Sequence, residues 1–466
     1  MIDILGIIVL GYVIVAGFLL NHIIEKTWVS PIFLVNIWVA IFILGDAVYT
    51  FSTKEFGPGE FERFSTDFNE VGTVSLVWSV ALTSFYIAYF LLRNKRKKIR
   101  EISKENMRYN VNFRITKFLF VITLIISMLA LLYMVSNALS MGYSLVEVTQ
   151  LRNKWFSDGG GILLTLIQSF KFALLVYIFS AIVNKKVKRK NIAFLIVLTL
   201  LIDLFLGTRS NFIYGFLLPL LIVIHQFYKQ ISIKKLAVLG IVIFLFIGVF
   251  YRTIARDQYF QSNENQSISN IVIENFSSMP HFFWGGFEAS SFDGAIDVLR
   301  KYPNQSEFLY GESLIKGLSA PIPRSLWDNK PRGGGNAIYT QTFYPEFYGE
   351  IRSEYSVSFI GELYMNGGII FVVVGFSIMG AILGAIYKIL FLNGRNVFYI
   401  LLYSLIISRT YSLFRGDFYN FFGQLFIGLL NLFLVFLFYK IISEIILNKE
   451  GSLDSRQINS GRGFKY

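Results

Sequence analysis

Residues 360–390 read IGELYMNGGIIFVVVGFSIMGAILGAIYKIL, and no residue between Glu362 and Lys388 is charged. The apolar character is continuous, without the strict alternation of a half-buried strand, and the block exceeds the roughly 20 residues that carry a helix across a hydrocarbon core. Lipid offers a backbone no hydrogen-bond partners, so such a block is either a helix or a strand of a closed barrel, and unbroken apolarity selects the helix. Outward from it, similar blocks recur near 3–22, 29–50, 73–93, 117–140, 161–183, 192–207, 210–228, 236–252, 396–413 and 419–447. The predicted fold class is all-α, a polytopic integral membrane protein of about 11 transmembrane helices with a long external loop carrying short helices.

Composition agrees. Of the 466 residues, 54% are hydrophobic and 16% charged, against about 45–50% and 25% in soluble domains. The net charge of +13 would suggest nucleic acid in a soluble protein, but the cations lie in short tracts between apolar blocks, where they encode topology. Nucleic acid is therefore not an expected partner. There is no cysteine, which excludes disulfides and thiol chemistry. His22, His225 and His281 are too scattered to build a His/Cys zinc site. No phosphate-binding GxxxxGK[ST] loop and no helix-opening GxGxxG occurs. No cofactor and no metal are expected. Asp-x-Asp is absent, the nearest pattern being Glu60-Phe61-Glu62. The first apolar block has neither a cationic leader nor a small-residue cleavage site, and it reads as a retained anchor.

Lys and Arg orient the chain. Arg93, Lys95, Arg96, Lys97, Lys98, Arg100, Lys104, Arg108, Arg114 and Lys117 crowd one joint, and residues 184–191 read NKKVKRKN. Smaller groups lie at Lys229, Lys234 and Lys235, at Lys388 and Arg395, and at Lys449, Arg456 and Arg462. With the spans above, placing 93–117 in the cytoplasm places every other tract there. The amino terminus is then outside and the carboxyl terminus inside. Residues 1–447 are expected to form one transmembrane helical domain. Residues 448–466, polar and Gly/Ser-rich, are expected to be a disordered cytoplasmic tail. The outside receives 51–72, 141–160, the tight joint Gly207–Ser210, the turn Phe414–Asp417 and the stretch of about 253–359. An insertion that long, rich in aromatics, is expected to lid a site on the external face.

The external arginines are Arg152, Arg209, Arg252, Arg256, Arg324, Arg332, Arg352 and Arg415. A guanidinium forks onto phosphate oxygens through paired charge-assisted hydrogen bonds, so a cluster at the mouth of the bilayer suits a diphosphate head group. Long external loops also carry arginines freely; Arg209 differs because it sits in a very short turn, where positive-inside bias opposes it. Glu362 stands where the long loop re-enters the membrane, with Asn366 a turn later and Gly367-Gly368 after that. It is either a general base toward a sugar hydroxyl or a carboxylate satisfied by the helix N-terminal dipole. His281 has the titration range of a proton carrier, or is packed among its aromatic neighbours. Trp284, Trp327 and the Tyr-rich stretch Tyr339–Tyr355 offer faces to sugars, or are interfacial aromatics. Within the spans, Asp203 is a partner for Lys171 or Arg409, neutralising the bundle interior.

Three motifs carry a family resemblance. They are Gly207-Thr-Arg209-Ser-Asn211 at a helix–turn–helix, Pro321-Ile-Pro323-Arg324-Ser-Leu-Trp327-Asp-Asn-Lys330-Pro331 in the long loop, and Gly361-Glu362-Leu-Tyr-Met-Asn366-Gly-Gly368 at re-entry. Together they resemble the Wzy family of O-antigen and capsular repeat-unit polymerases, over about 140–430 in layout and in letters at these motifs. Some members carry an Arg, ten residues and a Gly in two external loops. Arg324 and Gly335 match that spacing, whereas Leu163 stands where a glycine would follow Arg152. The resemblance implies metal-independent glycosyl transfer between two undecaprenyl-diphosphate-linked glycans at the outer face of a bacterial inner membrane. For that reaction the charge pattern points to Arg209, Arg252, Arg256, Arg324 and Arg415 on the diphosphate, with Arg152, Arg332, Arg352 and Trp327 as further substrate contacts. Glu362 or His281 would be the base. Membrane lipid, a chain-length regulator and a flippase are the implied partners.

Other readings remain. A ligase uses the same donor but another acceptor. A metal-dependent transferase acting on polyprenyl-phosphate sugars would use Glu60 and Glu62. A polysaccharide flippase or exporter would need charges along a path through the whole bilayer and two related halves, whereas the polar weight here lies on one face.

Overall fold

Eight of the expected apolar blocks form helices long enough to cross a membrane among the described residues. The computed structural model describes residues 2–57, 64–67, 69–93, 111–142, 161–184, 186, 189–206, 209–228, 291–322, 326–327, 329–331, 333–349, 354–392 and 397–460. The first helices are α1 (Ile2–Glu25), α2 (Pro31–Thr53), α3 (Glu70–Arg93), α4 (Phe113–Ser140) and α5 (Gly161–Val183). Two further expected spans form apolar helices of 17 residues each, α6 (Arg189–Phe205) and α7 (Ser210–Gln226), below the length of the eight. The block at 236–252 lies outside the described residues.

Four short helices follow: α8 (Ser291–Lys301), α9 (Glu312–Leu318), α10 (Gly335–Phe343) and α11 (Pro345–Tyr348). The chain then forms α12 (Ser358–Leu392), α13 (Val397–Arg409), α14 (Tyr411–Arg415) and α15 (Phe418–Ser460). A two-stranded antiparallel ribbon pairs Glu55–Phe56 with Phe64–Ser65. The last helix continues beyond residue 448, where composition leads one to expect an unstructured tail.

Two units share the chain. The first comprises Met1–Glu101, Ile224–Gly394 and Tyr403–Leu425; the second comprises Ile102–Val223, Arg395–Leu402 and Phe426–Tyr466. In the first, α3 packs against both α1 and α12. Small residues permit this approach: a Cβ on Gly6 would stand 2.4 Å from the Gly72 carbonyl oxygen, and one on Gly380 would stand 2.3 Å from that of Phe85. Helix α2 starts at Pro31 because Ser30 caps it, its hydroxyl oxygen accepting from the Phe33 amide at 3.2 Å.

Helix α8 is tied to the membrane helices by polar side chains. The Phe292 amide donates to Asp46 at 3.2 Å, while Asp293 accepts from the Thr50 hydroxyl at 2.7 Å and the Gly57 amide at 2.8 Å. Arg300 adds an ion pair to Glu70. A core of Val298, Tyr302, Tyr339, Tyr355, Val357 and Met365 joins the short helices.

In the second unit α4 and α5 pack together, with the Phe120 and Tyr177 rings stacked at 5.2 Å. Lys171 meets Asp203 there at 2.5 Å, both side chains buried. Arg409, which belongs to the first unit, donates to the Gln424 side chain at 3.0 Å.

Candidate active site

Helix α12 is 35 residues long, about 52 Å at 1.5 Å per residue, and so overshoots a hydrocarbon core of about 30 Å. It breaks at Gly367 and Gly368, the latter at φ +65°, a left-handed conformation costly to any residue with a Cβ. The break frees two carbonyls, and a neighbouring loop takes them up. Leu309 donates its amide to Met365 at 2.8 Å and Tyr310 donates to Asn366 at 3.0 Å. The Asn366 side chain completes the joint: its oxygen accepts from the Gly311 amide at 2.8 Å and its nitrogen donates to the Ser313 hydroxyl at 2.7 Å. Irregular backbone is tolerated at such a depth only when protein satisfies it in this way.

One turn before Asn366, the same half-helix carries Glu362, fully buried. Its Oε2 accepts from the Phe418 amide at 2.7 Å, and the Ser313 hydroxyl and Gly335 amide face the same carboxylate. Oε1 has no partner of full hydrogen-bond geometry among the described residues. Beside it stands Asp417, also buried. Its Oδ2 accepts from the Asn336 amide at 3.0 Å, and its Oδ1 accepts from the Asn420 amide at 2.9 Å and side chain at 2.8 Å. The first turns of α10 and α15 thus both aim their unpaired N–H groups at this pair of carboxylates, the electrostatically favourable end of each helix.

The glycines before α10 make the approach possible. A Cβ on Gly334 would meet Asp417 Oδ2 at 2.8 Å, and one on Gly335 would meet Glu362 Cγ at 2.8 Å. Burial raises the Asp417 carboxyl above its ordinary range, against the pull of the Asn420 and Asn336 amides. Glu354 lies nearby, its Oε1 3.2 Å from where a Cβ on Gly333 would stand. Burial, with the Asp417 charge adding, pushes it up to about 8. A carboxyl group shifted to about 8, as Glu354 is, holds or releases its proton near neutrality, as general acid–base chemistry requires.

Of the candidate residues, the fold brings Arg415 to this place. It ends α14, two residues before Asp417, and its carbonyl accepts from the Ser356 hydroxyl. The segment Arg415–Phe418 therefore carries a guanidinium at one end and the amide held by Glu362 at the other. Trp327 is 40% exposed. Arg209 opens the helical turn Arg209–Phe212 in the second unit. Arg152, Arg252, Arg256, His281, Trp284, Arg324, Arg332 and Arg352 lie outside the described residues, as do Glu60 and Glu62. Tyr339 and Tyr355 are fully buried, so those two rings serve the core and offer no face to a sugar.

Reading the residues overlooked Asp417, Asn336 and Glu354 as parts of one cluster. The available signal was Gly333-Gly334-Gly335, a run suited to close backbone approach. Among the described residues, no three His, Asp or Glu side chains gather as a metal ion would require.

The family model described as O-antigen polysaccharide polymerase Wzy matches residues 4–449, nearly the whole chain. No curated protein and no solved structure matches it.

Proposed function

The chain belongs to the O-antigen polysaccharide polymerase Wzy family, and from that premise we propose that it joins undecaprenyl-diphosphate-linked repeat units into O-antigen or capsular polysaccharide. The reaction takes place at the outer face of the bacterial inner membrane, with the amino terminus outside and the carboxyl terminus in the cytoplasm. A growing chain is the donor. The bond between its anomeric carbon and the lipid diphosphate breaks as a hydroxyl oxygen of the incoming repeat unit bonds to that carbon. The hydroxyl proton passes to Glu362, and the lipid diphosphate leaves with the bonding electron pair.

The observation that carries this reading is the Glu362 carboxylate itself, buried, held on Oε2 by the Phe418 amide and faced by the Ser313 hydroxyl and the Gly335 amide. A base so oriented is fixed before substrate arrives. Arg415, on the adjoining turn, stabilises charge developing on the departing diphosphate, a preorganised electrostatic effect. Arg209, Arg252, Arg256 and Arg324 share that task, with Arg152, Arg332, Arg352 and Trp327 contacting the rest of the glycan. His281 is the second candidate base. No metal takes part in this scheme, so EDTA leaves the rate unchanged; a loss of activity restored by added divalent cation would point to the metal-dependent transferase. A flippase supplies the repeat units and a chain-length regulator acts on the product.

The test is gel banding of surface polysaccharide from a strain lacking this gene, complemented with wild type, Glu362→Gln or Arg209→Ala. We expect a single repeat unit on its final acceptor in the deletion strain, and a restored ladder with wild type only. Long lipid-linked polymer that never reaches an acceptor would identify a ligase. An unchanged ladder in the deletion strain would overturn both and favour transport.

A further inference from the structure

Outside the spans, the exposed large apolar side chains of the described residues concentrate between positions 310 and 327 of the chain. Tyr310 is 75% exposed, Ile315 70% and Leu326 79%, and Leu318, Ile322 and Trp327 are exposed as well. Helix α9 has two faces. Ser313 and Gly317 are buried, Ser313 bonded to Asn366 and Gly317 so close to Phe418 that a Cβ would stand 2.6 Å from its ring. Ile315 and Leu318, three residues apart, share the opposite face. The Glu312–Lys316 ion pair, at 2.5 Å, adds two long side chains able to reach water.

The break in α12 that holds Tyr310 also heads an exposed apolar stripe. Along α12, Ile370, Val374, Ile378 and Ile382 are exposed at four-residue intervals, the stripe a spanning helix turns to acyl chains. Residues 369–392 alone rise about 36 Å and suffice to cross the hydrocarbon, so its boundary falls near the break at Gly367–Gly368. Tyr310 is hydrogen-bonded into that break, which sets α9 level with the top of the stripe.

We propose that the apolar side chains of Tyr310, Ile315, Leu318, Ile322, Leu326 and Trp327 are immersed in the bilayer boundary, making residues 310–322 and 326–327 parts of a membrane-embedded strap beside the candidate site. Its occupant is bulk lipid. A tyrosine and a tryptophan at its edge suit the interfacial layer, where an amphipathic ring keeps its polar end wet. Left in water, so dense an apolar group would be a liability. On the functional reading above, one helix thickness then separates the lipid from Glu362, so a lipid-linked head group reaches the carboxylate sideways from the membrane. The test below is independent of that reading, because it measures no reaction.

The chain has no cysteine, so single cysteines report without background. Ile315→Cys, Leu318→Cys, Ile322→Cys and Leu326→Cys are spin-labelled in vesicles of phosphatidylethanolamine and phosphatidylglycerol. Collision with lipid-soluble oxygen is compared with collision with a water-soluble nickel chelate. Val374→Cys on the α12 stripe is the lipid reference and Asn304→Cys the aqueous one. The expected oxygen-to-nickel ratio at the four strap positions matches Val374 and lies several-fold above Asn304. Nickel-dominated collision would overturn the proposal in favour of a water-facing strap. Shielding from both reagents would overturn it in favour of a protein cover. Four positions are read so that one misfolded variant leaves the outcome decided.

Discussion

Glu362 is held between two helix N-termini that belong to other parts of the chain, through the amides of Gly335 and Phe418. A carboxylate so placed serves either to cap those helices or to accept a proton, and Glu362→Gln separates the two. The amide oxygen still accepts the Phe418 N–H, so capping survives while basicity is lost. We expect the variant to accumulate in membranes like wild type, with kcat for repeat-unit extension falling about 10²–10⁴-fold and KM little changed. A variant that extends chains normally would leave the residue a purely structural cap.

The second expectation at this scale concerns Glu354, whose folded-state carboxyl titrates at about 8 instead of 4.5. Between those values the native state holds a proton that the unfolded state has released, so stability falls as pH rises through that window. Asp417, also raised, acts with the same sign. Glu354→Gln therefore raises the melting temperature in detergent at pH 9 relative to wild type and changes it little at pH 4.5. Equal shifts at both values would show that its titration contributes nothing.

Among the elements, the broken α12 is decisive. Its first half, Ser358–Asn366, belongs with α9, α10 and α14 to the candidate site, and its second half is long and apolar enough to span a membrane. Gly368 joins them at φ +65°. Gly368→Ala meets no hard contact, its Cβ standing 3.4 Å from the Phe308 ring, so the penalty is conformational, about 1–2 kcal/mol. Chemical unfolding in mixed micelles should register that loss. No loss would mean the backbone can re-form a continuous helix there, and the loop bonds to Met365 and Asn366 would not matter. Elements were legible in the sequence to the extent that their cause was local. Apolar runs announced α1 to α5, α12, α13 and α15, because a span must satisfy its own backbone. The short helices α8 to α11 were expected as a class but not in position, because each is stabilised by partners far along the chain.

At the scale of the whole molecule, the second unit offers its own test. Lys171 and Asp203 form a buried ion pair whose members neutralise each other at membrane depth. Lys171→Met removes the cation paired with the buried Asp203 carboxylate and is expected to cost about 3–5 kcal/mol, whereas Lys171→Met with Asp203→Leu recovers most of it. A double-mutant cycle of unfolding in detergent reads the difference. If both variants are equally unstable, the pair is not what holds α5 to α6.

The sequence by itself determined the all-helical membrane architecture, the family, and the conspicuous charges Glu362 and Arg415, because hydropathy and an isolated charge beside an apolar run are local properties. Only the tertiary structure decided what surrounds them. Glu362 meets the Phe418 amide across 56 residues of sequence, and Asp417 meets the Asn336 amide across 81. Hydrogen bonds between groups so distant in sequence leave no periodicity or motif, since their geometry exists only after the helices have packed.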